Sequence, residues 1–365
     1  MRTAIILFLL SGVLACSSYA QKTAVHWYLP TMSLEEAGGL KGYDLVMIDP
    51  EAVFNSRESL DALRAANPQI KIYCYFNVVE WFNPMWDDKP WSRNIMNFMN
   101  RREAWFLHGK DGQRLSFWED ERTGRKMQTL NCRIDCPKST VYDGGRPLSY
   151  LEFITERFIE DILKTYHFDG VLMDNLWNKI HWLGKYGANK NGFDYGSALA
   201  DNDSIGVNLL WKQGMDYCLN ELAKFGGPGF LVGNPGHLSY PQCAGKMFEN
   251  FPEIYLNEAD TVYQAWFENL NNAATFPAGP CIFNARKDNY FFTLASAMLL
   301  DHVYFSYLQN TRYEDKYRLN LGQALAPAQI NGGVASRAYE QGTVCVDPLF
   351  KKAWIIYNDG RERKE

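Results

Sequence analysis

The chain has 365 residues, of which 47% are hydrophobic and 15% aromatic, and its formal net charge is −5. That is enough apolar material for one large core and too little positive charge to grip a phosphate backbone, so nucleic acid is not expected as a partner. The 11 tryptophans suit either a bulky core or flat platforms on which ligands stack.

The opening MRTAIILFLLSGVLACSSYA places Arg2 before an apolar run that ends in small residues, the pattern of an export signal over residues 1–20. Cleavage after Ser18-Tyr19-Ala20 would give a secreted or periplasmic protein. Val13-Leu14-Ala15-Cys16 resembles a lipobox and would give one anchored through Cys16. No later stretch is long and apolar enough to cross a bilayer, and a monomer is expected.

From Ala24 onward, short apolar runs alternate with helix-like stretches, the sign of a parallel sheet wrapped by helices. In chain order the runs are AVHWYL, YDLVMID, KIYCYFN, QTLNCRID, FDGVLMDN, GFLVGN, GKMFEN, PCIFNA and HVYFSY. They predict an α/β fold, a (β/α)8 TIM barrel over residues 21–325, although nine runs compete for eight places. Helical periodicity is clearest in LSYLEFITERFIEDILKTY, and similar stretches begin near Ser56, Asn208, Glu258 and Asn289. Between Asn77 and Gln128 lies a Trp-rich insertion, with WFNPMWDDKPW followed by WFLHGKDGQRLSFW. Its Gly109-Lys110-Asp111-Gly112 supplies a hairpin turn. Residues 326–365 alternate like a small β-unit, ending in a charged RERKE that is expected to fray.

Side chains alternate along a strand, so Asp174 shares a face with Leu172, Glu249 with Met247, and Asp49 with Met47. Tyr73, Tyr75 and Asn77 share a face in the same way. Each polar group ends its run where barrel enzymes assemble their sites. Asp169 precedes Gly170 at the strand start and reads instead as a turn or helix-exit residue. Two opposed carboxylates suit glycosidic cleavage, one as acid and one as nucleophile or base, which makes Asp174 and Glu249 the candidate catalytic pair. Asp49, Tyr75, Asn77, Glu80, Asn175, Asn234 and His237 are candidate substrate contacts, with Trp81, Trp86, Trp91 and Trp177 as indoles to stack on a sugar.

Other chemistries find little support. The six histidines show neither HxH nor HExxH, and the cysteines show no CxxC, so no metal site is expected. No GxxxxGK[ST] loop is present, and no cofactor is expected. Cys132 and Cys136 are close enough to bridge across a turn, whereas Cys74, Cys218 and Cys281 read as small buried residues.

The order YDLVMID, WFLHGKDGQRLSFW, FDGVLMDN and KMFENF resembles glycoside-hydrolase-like barrels related to endo-α-1,4-polygalactosaminidases, and RAYEQGTVCVDP echoes their closing pattern. The likeness spans most of Ala24 to Pro348. It implies a TIM barrel that hydrolyses a polysaccharide or glycan, with Asp174 as the strand-end carboxylate and Glu249 as the later glutamate. LNCRIDCP departs from the family's LDxTNP segment, and Asp347 stands where an Asn is usual. A carbohydrate-binding barrel without turnover is the alternative.

Overall fold

The computed structural model describes residues 21–364 except 143–144, 186–193, 195–202, 228, 235–239, 253–261, 277–278, 287–288, 318 and 320. The candidate signal, both its cleavage sites, Cys16 and His237 lie outside the described residues. Eight parallel strands close into a barrel: β1 (Thr23–Trp27), β2 (Leu45–Ile48), β3 (Lys71–Asn77), β4 (Gly170–Asp174), β5 (Leu231–Asn234), β6 (Gly245–Phe251), β7 (Cys281–Ala285) and β8 (Val303–Gln309). They neighbour one another in sequence order, and β8 closes on β1.

Alternation decides what fills the barrel. Ala24, Leu45, Met47, Tyr73, Leu172, Val232, Met247, Ile282 and Tyr304 form one interior cluster, with Tyr75 packed on its upper side. Val171 and Met173 face outward into the layer shared with the helices. The capping box in which Ser149 and Glu152 satisfy each other's backbone amides starts the helix Tyr150–Phe158, which runs on into a π turn at Ile159–Leu163. Asp169 holds the foot of the barrel, accepting from Ile72 N at 2.9 Å and from Arg64 Nη2 at 3.0 Å. Its role is structural, but it ties the helix Arg57–Ala66 to β3 and does not serve as the expected turn or helix-exit residue.

The ninth run, QTLNCRID, is not a barrel strand. Gln128 and Thr129 end the middle strand of a three-stranded antiparallel sheet, ordered Glu80–Asn83, Arg125–Thr129, Ser116–Asp120, which the Trp-rich insertion builds between β3 and β4. The expected turn forms within it, Gly112 N donating to Gly109 O at 2.9 Å. Close packing holds the insertion's return path: a Cβ on Gly214, in the helix Ser204–Ala223, would lie 1.8 Å from Cys132 O. Gly214→Ala is therefore expected to lower stability by about 1–3 kcal/mol or more, as overpacking against backbone does. A chemical-denaturation midpoint unchanged from wild type would refute this.

A five-stranded antiparallel sheet, from Gln329–Asn331 to Glu362–Lys364, closes the chain. Val344, Val346 and Ile355 pack it on the same core as Phe291 and Leu294 of the helix Tyr290–Ala297. The RERKE end does not fray as expected, because Glu362–Lys364 pairs with Trp354–Ile356. The seven described cysteines are all free and buried. Cys132 and Cys136 do not bridge; their thiols point to different carbonyls, Cys132 to Val78 O and Cys136 to Ala104 O. No described helix is long and apolar enough to cross a membrane.

Candidate active site

The C-terminal rim of the barrel gathers the polar residues that end the inward rows. Register pairs Asn77 with Asp174 across β3 and β4, and Asn234 with Asp174 across β4 and β5. Glu249 comes from β6 at a bulge, where the pairing slips between Phe248 and Phe251. Glu249 keeps the inward parity of Met247, and the bulge lets the strand bend just past it. Both carboxylates are followed by an asparagine in the left-handed region, Asn175 at φ 55° and Asn250 at φ 54°. Asparagine tolerates that conformation better than most residues, so the chain can turn away sharply just after each carboxylate.

Asp174 is surrounded by donors. Tyr75 Oη donates to its Oδ2 at 2.6 Å, while Asn234 Nδ2 and its neighbour's amide, Asn175 N, donate to Oδ1 at 2.8 and 2.9 Å. An acceptor-only carboxylate fits that set. The same Asn234 Nδ2 reaches Glu249 Oε2 at 3.3 Å, so one amide spans both carboxylates. Burial and then the Asp174 charge push the Glu249 carboxyl above its ordinary range, with the Asn234 amide working against them. The two carboxyls thus have opposite surroundings, donors for one and desolvation for the other.

Other expected residues have more structural duties. Asn77 Oδ1 accepts from Val79 N and Glu80 N, shaping the exit from β3. Glu80 is buried and accepts from Asn175 Nδ2 at 3.3 Å and from Thr129 Oγ1 at 3.3 Å, which ties the insertion to the rim. Asp49 reaches the rim but is engaged there, accepting from Glu51 N at 2.9 Å and from Lys89 Nζ.

The tryptophans divide sharply. Trp81 and Trp91 were expected to line the cleft but are buried, their indole N–H groups donating to Asn77 O and Asp161 Oδ2. A buried indole must satisfy its N–H locally, and both do. Trp86 stacks on Phe82 with the Arg125 guanidinium 3.9 Å over its ring. Trp177 packs edge-on against Trp182, and its carbonyl accepts from Trp211 Nε1 and Tyr240 Oη.

Two residues at the rim escaped the sequence reading. Tyr28 continues the inward row of Ala24 and His26, its ring 4.7 Å from that of Tyr75. Asn310 fixes its backbone, donating to His26 O at 2.7 Å and accepting from Tyr28 N at 2.8 Å. The Tyr28 hydroxyl makes no hydrogen bond to a described residue. Burial first, and then the charges of Asp174, Glu249 and Asp49, push this phenol upward, so it faces the carboxylates as a donor. Parity along AVHWY was the available signal. Lys89 was the other, and nothing local marks it, since its partner Asp49 is 40 residues away. Below them His26 is buried against Met247 Sδ at 3.0 Å, and burial lowers the imidazole to about 3.

No curated protein matches the chain. Among solved structures it is similar to an α-L-fucosidase isoenzyme 2 from Paenibacillus thiaminolyticus, at 11% identity and a TM-score of 0.50, over 81% of this chain and 47% of that one. It is also similar to the α-galactosidase AgaA from Geobacillus stearothermophilus (9%, TM-score 0.45, 92% and 47%) and to a Flavobacterium johnsoniae dextranase (9%, TM-score 0.44, 81% and 37%). At 11% identity the first likeness is one of fold alone, and the chain spans less than half the length of each of these proteins. The profile of the hypothetical glycosyl hydrolase family 15 matches residues 64–343, from the helix before β3 into the C-terminal sheet, and the chain belongs to that family.

Proposed function

We propose that the chain is an exported glycoside hydrolase that cleaves a glycan with retention of configuration, using Asp174 as nucleophile and Glu249 as acid and base. The observation that carries this reading is the Asn234 amide shared between the two carboxylates. Bonds of 2.8 and 3.3 Å to one nitrogen keep those two oxygens within about 6 Å of each other, which favours the close spacing of retaining over inverting enzymes. Export rests on the leader-like residues 1–20.

The raised Glu249 carboxyl suits proton donation to the glycosidic oxygen as its bond to the anomeric carbon breaks. Asp174 attacks that carbon and forms a glycosyl ester. Glu249, now ionised, takes a proton from water, which attacks the same carbon and releases the sugar with Asp174 restored. Tyr75, Asn234 and Asn175 N hold the nucleophile in place through all of this. Tyr28, whose hydroxyl bonds to no described residue, is available to a sugar hydroxyl.

Resemblance to polygalactosaminidase-related barrels makes amino-sugar polymers the first substrates to try, with neutral glycans beside them. Released reducing ends report turnover. Binding with no release from any of these glycans would favour a carbohydrate-binding barrel instead. Within the site, Tyr75→Phe removes a hydrogen bond to a charged group worth about 1.5–3 kcal/mol, so kcat/KM should drop by roughly tenfold to a hundredfold. A Tyr75→Phe enzyme within twofold of wild type would remove Tyr75 from the machinery.

A further inference from the structure

The insertion's sheet has two faces of different character. In the strand Glu80–Asn83, Glu80 and Phe82 share one face and Trp81 and Asn83 the other. The second face is turned inward, since Trp81 donates to Asn77 O and Asn83 pairs with Asn100 and Gln128. The first face begins at the candidate site, because Glu80 accepts from Asn175, the residue next to Asp174.

Register carries that face outward. Thr129 lies opposite Glu80, Met127 opposite Phe82, and Trp118 opposite Met127 in the third strand, just past a bulge. The Phe82 and Trp118 rings meet nearly at right angles, centroids 5.5 Å apart. Phe82 is therefore gripped between Trp86 and the edge contact with Trp118, and Trp86 is covered by Arg125. Trp118 meets no other ring among the described residues, and it is 50% exposed. An indole left half in water on a row that leads to two carboxylates forgoes the burial that stabilises its neighbours.

Strand spacing and rise put Trp118 roughly 12 Å from Glu80, farther than one pyranose ring reaches. We infer that Trp118, at the outer end of this row, binds the glycan chain beyond the unit being cleaved, so that the substrate is an oligo- or polysaccharide of several units, stacked by a C–H face on the indole. The inference rests on the Asp174–Glu249 reading and adds chain length to it. Such a surface does little for a small glycoside, whose whole length fits at the carboxylates.

The test compares wild type, Trp118→Ala, Trp118→Phe and Asp174→Asn on a length ladder, from aryl monosaccharide and disaccharide to octasaccharide, cut from the polysaccharide that the wild type degrades. Wild-type kcat/KM should climb with length. Trp118→Ala should lose at least tenfold on the longest members through KM, keep the rate on the shortest, and melt within a few degrees of wild type, the loss of one ring contact, with Trp118→Phe recovering part of the lost rate. A wild-type rate independent of length, or a Trp118→Ala profile matching wild type at every length, overturns the inference. Full activity of Asp174→Asn, or no degradation by wild type, falls instead on the catalytic reading beneath it.

Discussion

Asp174→Asn is expected to fold normally and to lose turnover by at least ~10²-fold, the lower range for removing one acid–base or nucleophilic group. The amide keeps the shape of the carboxylate and can still accept from Asn234 Nδ2 and Asn175 N at one oxygen. Its new NH2 group would face Tyr75 Oη, and a phenol can rotate to accept where it formerly donated. Little stability should therefore be lost. The charge needed to attack the anomeric carbon is gone, and nothing else bonded to Asp174 can supply it. Steady-state kcat beside a denaturation midpoint tells the two roles apart. A destabilised variant with proportionate residual activity would mean that the carboxylate serves the fold.

Glu249→Gln should behave differently, because an acid matters according to the leaving group. On glycans, whose leaving alcohol needs a proton, about 10²–10⁴-fold of the rate should disappear. Aryl glycosides with activated leaving groups should lose much less in the first step, and the alkaline limb of the pH profile should vanish. Stability should shift as well. Burial and the Asp174 charge raise this carboxyl in the folded state, so the native protein holds its proton to higher pH than the unfolded chain does. Wild type therefore loses stability as pH rises from the unfolded carboxyl range through the folded one, and glutamine is spared that loss. Glu249→Gln should melt above wild type at neutral pH and converge with it in acid. A variant that melts below wild type at neutral pH would show Glu249 to be a stabilising ionised partner.

How far the site could be read in advance follows from the length scale of each signal. Strand alternation is local, so VLMD, KMFE and VMID announced their inward carboxylates, and the interior cluster of Met47, Leu172 and Met247 lies directly beneath them. The same arithmetic applied to EWFN sets Trp81 against Phe82, and reading Trp81 as a platform ignores it. Aromatic abundance alone does not tell a core indole from a platform, because both are apolar and both need an N–H partner. QTLNCRID reads as one of nine barrel candidates because a short apolar run looks the same whether its neighbour is parallel or antiparallel. The Asn234 bridge and the Lys89–Asp49 pair join residues far apart in sequence, and only the closed barrel brings them together.

Asp174→Ala assayed with and without sodium azide tests the central assignment most directly, since the truncated side chain leaves room for a small anion where the carboxylate stood. If Asp174 is the nucleophile, the variant should be nearly inert on an activated aryl glycoside, and azide should restore turnover, giving a glycosyl azide of inverted configuration. A folded Asp174→Ala enzyme that cleaves at the wild-type rate without azide would contradict the assignment.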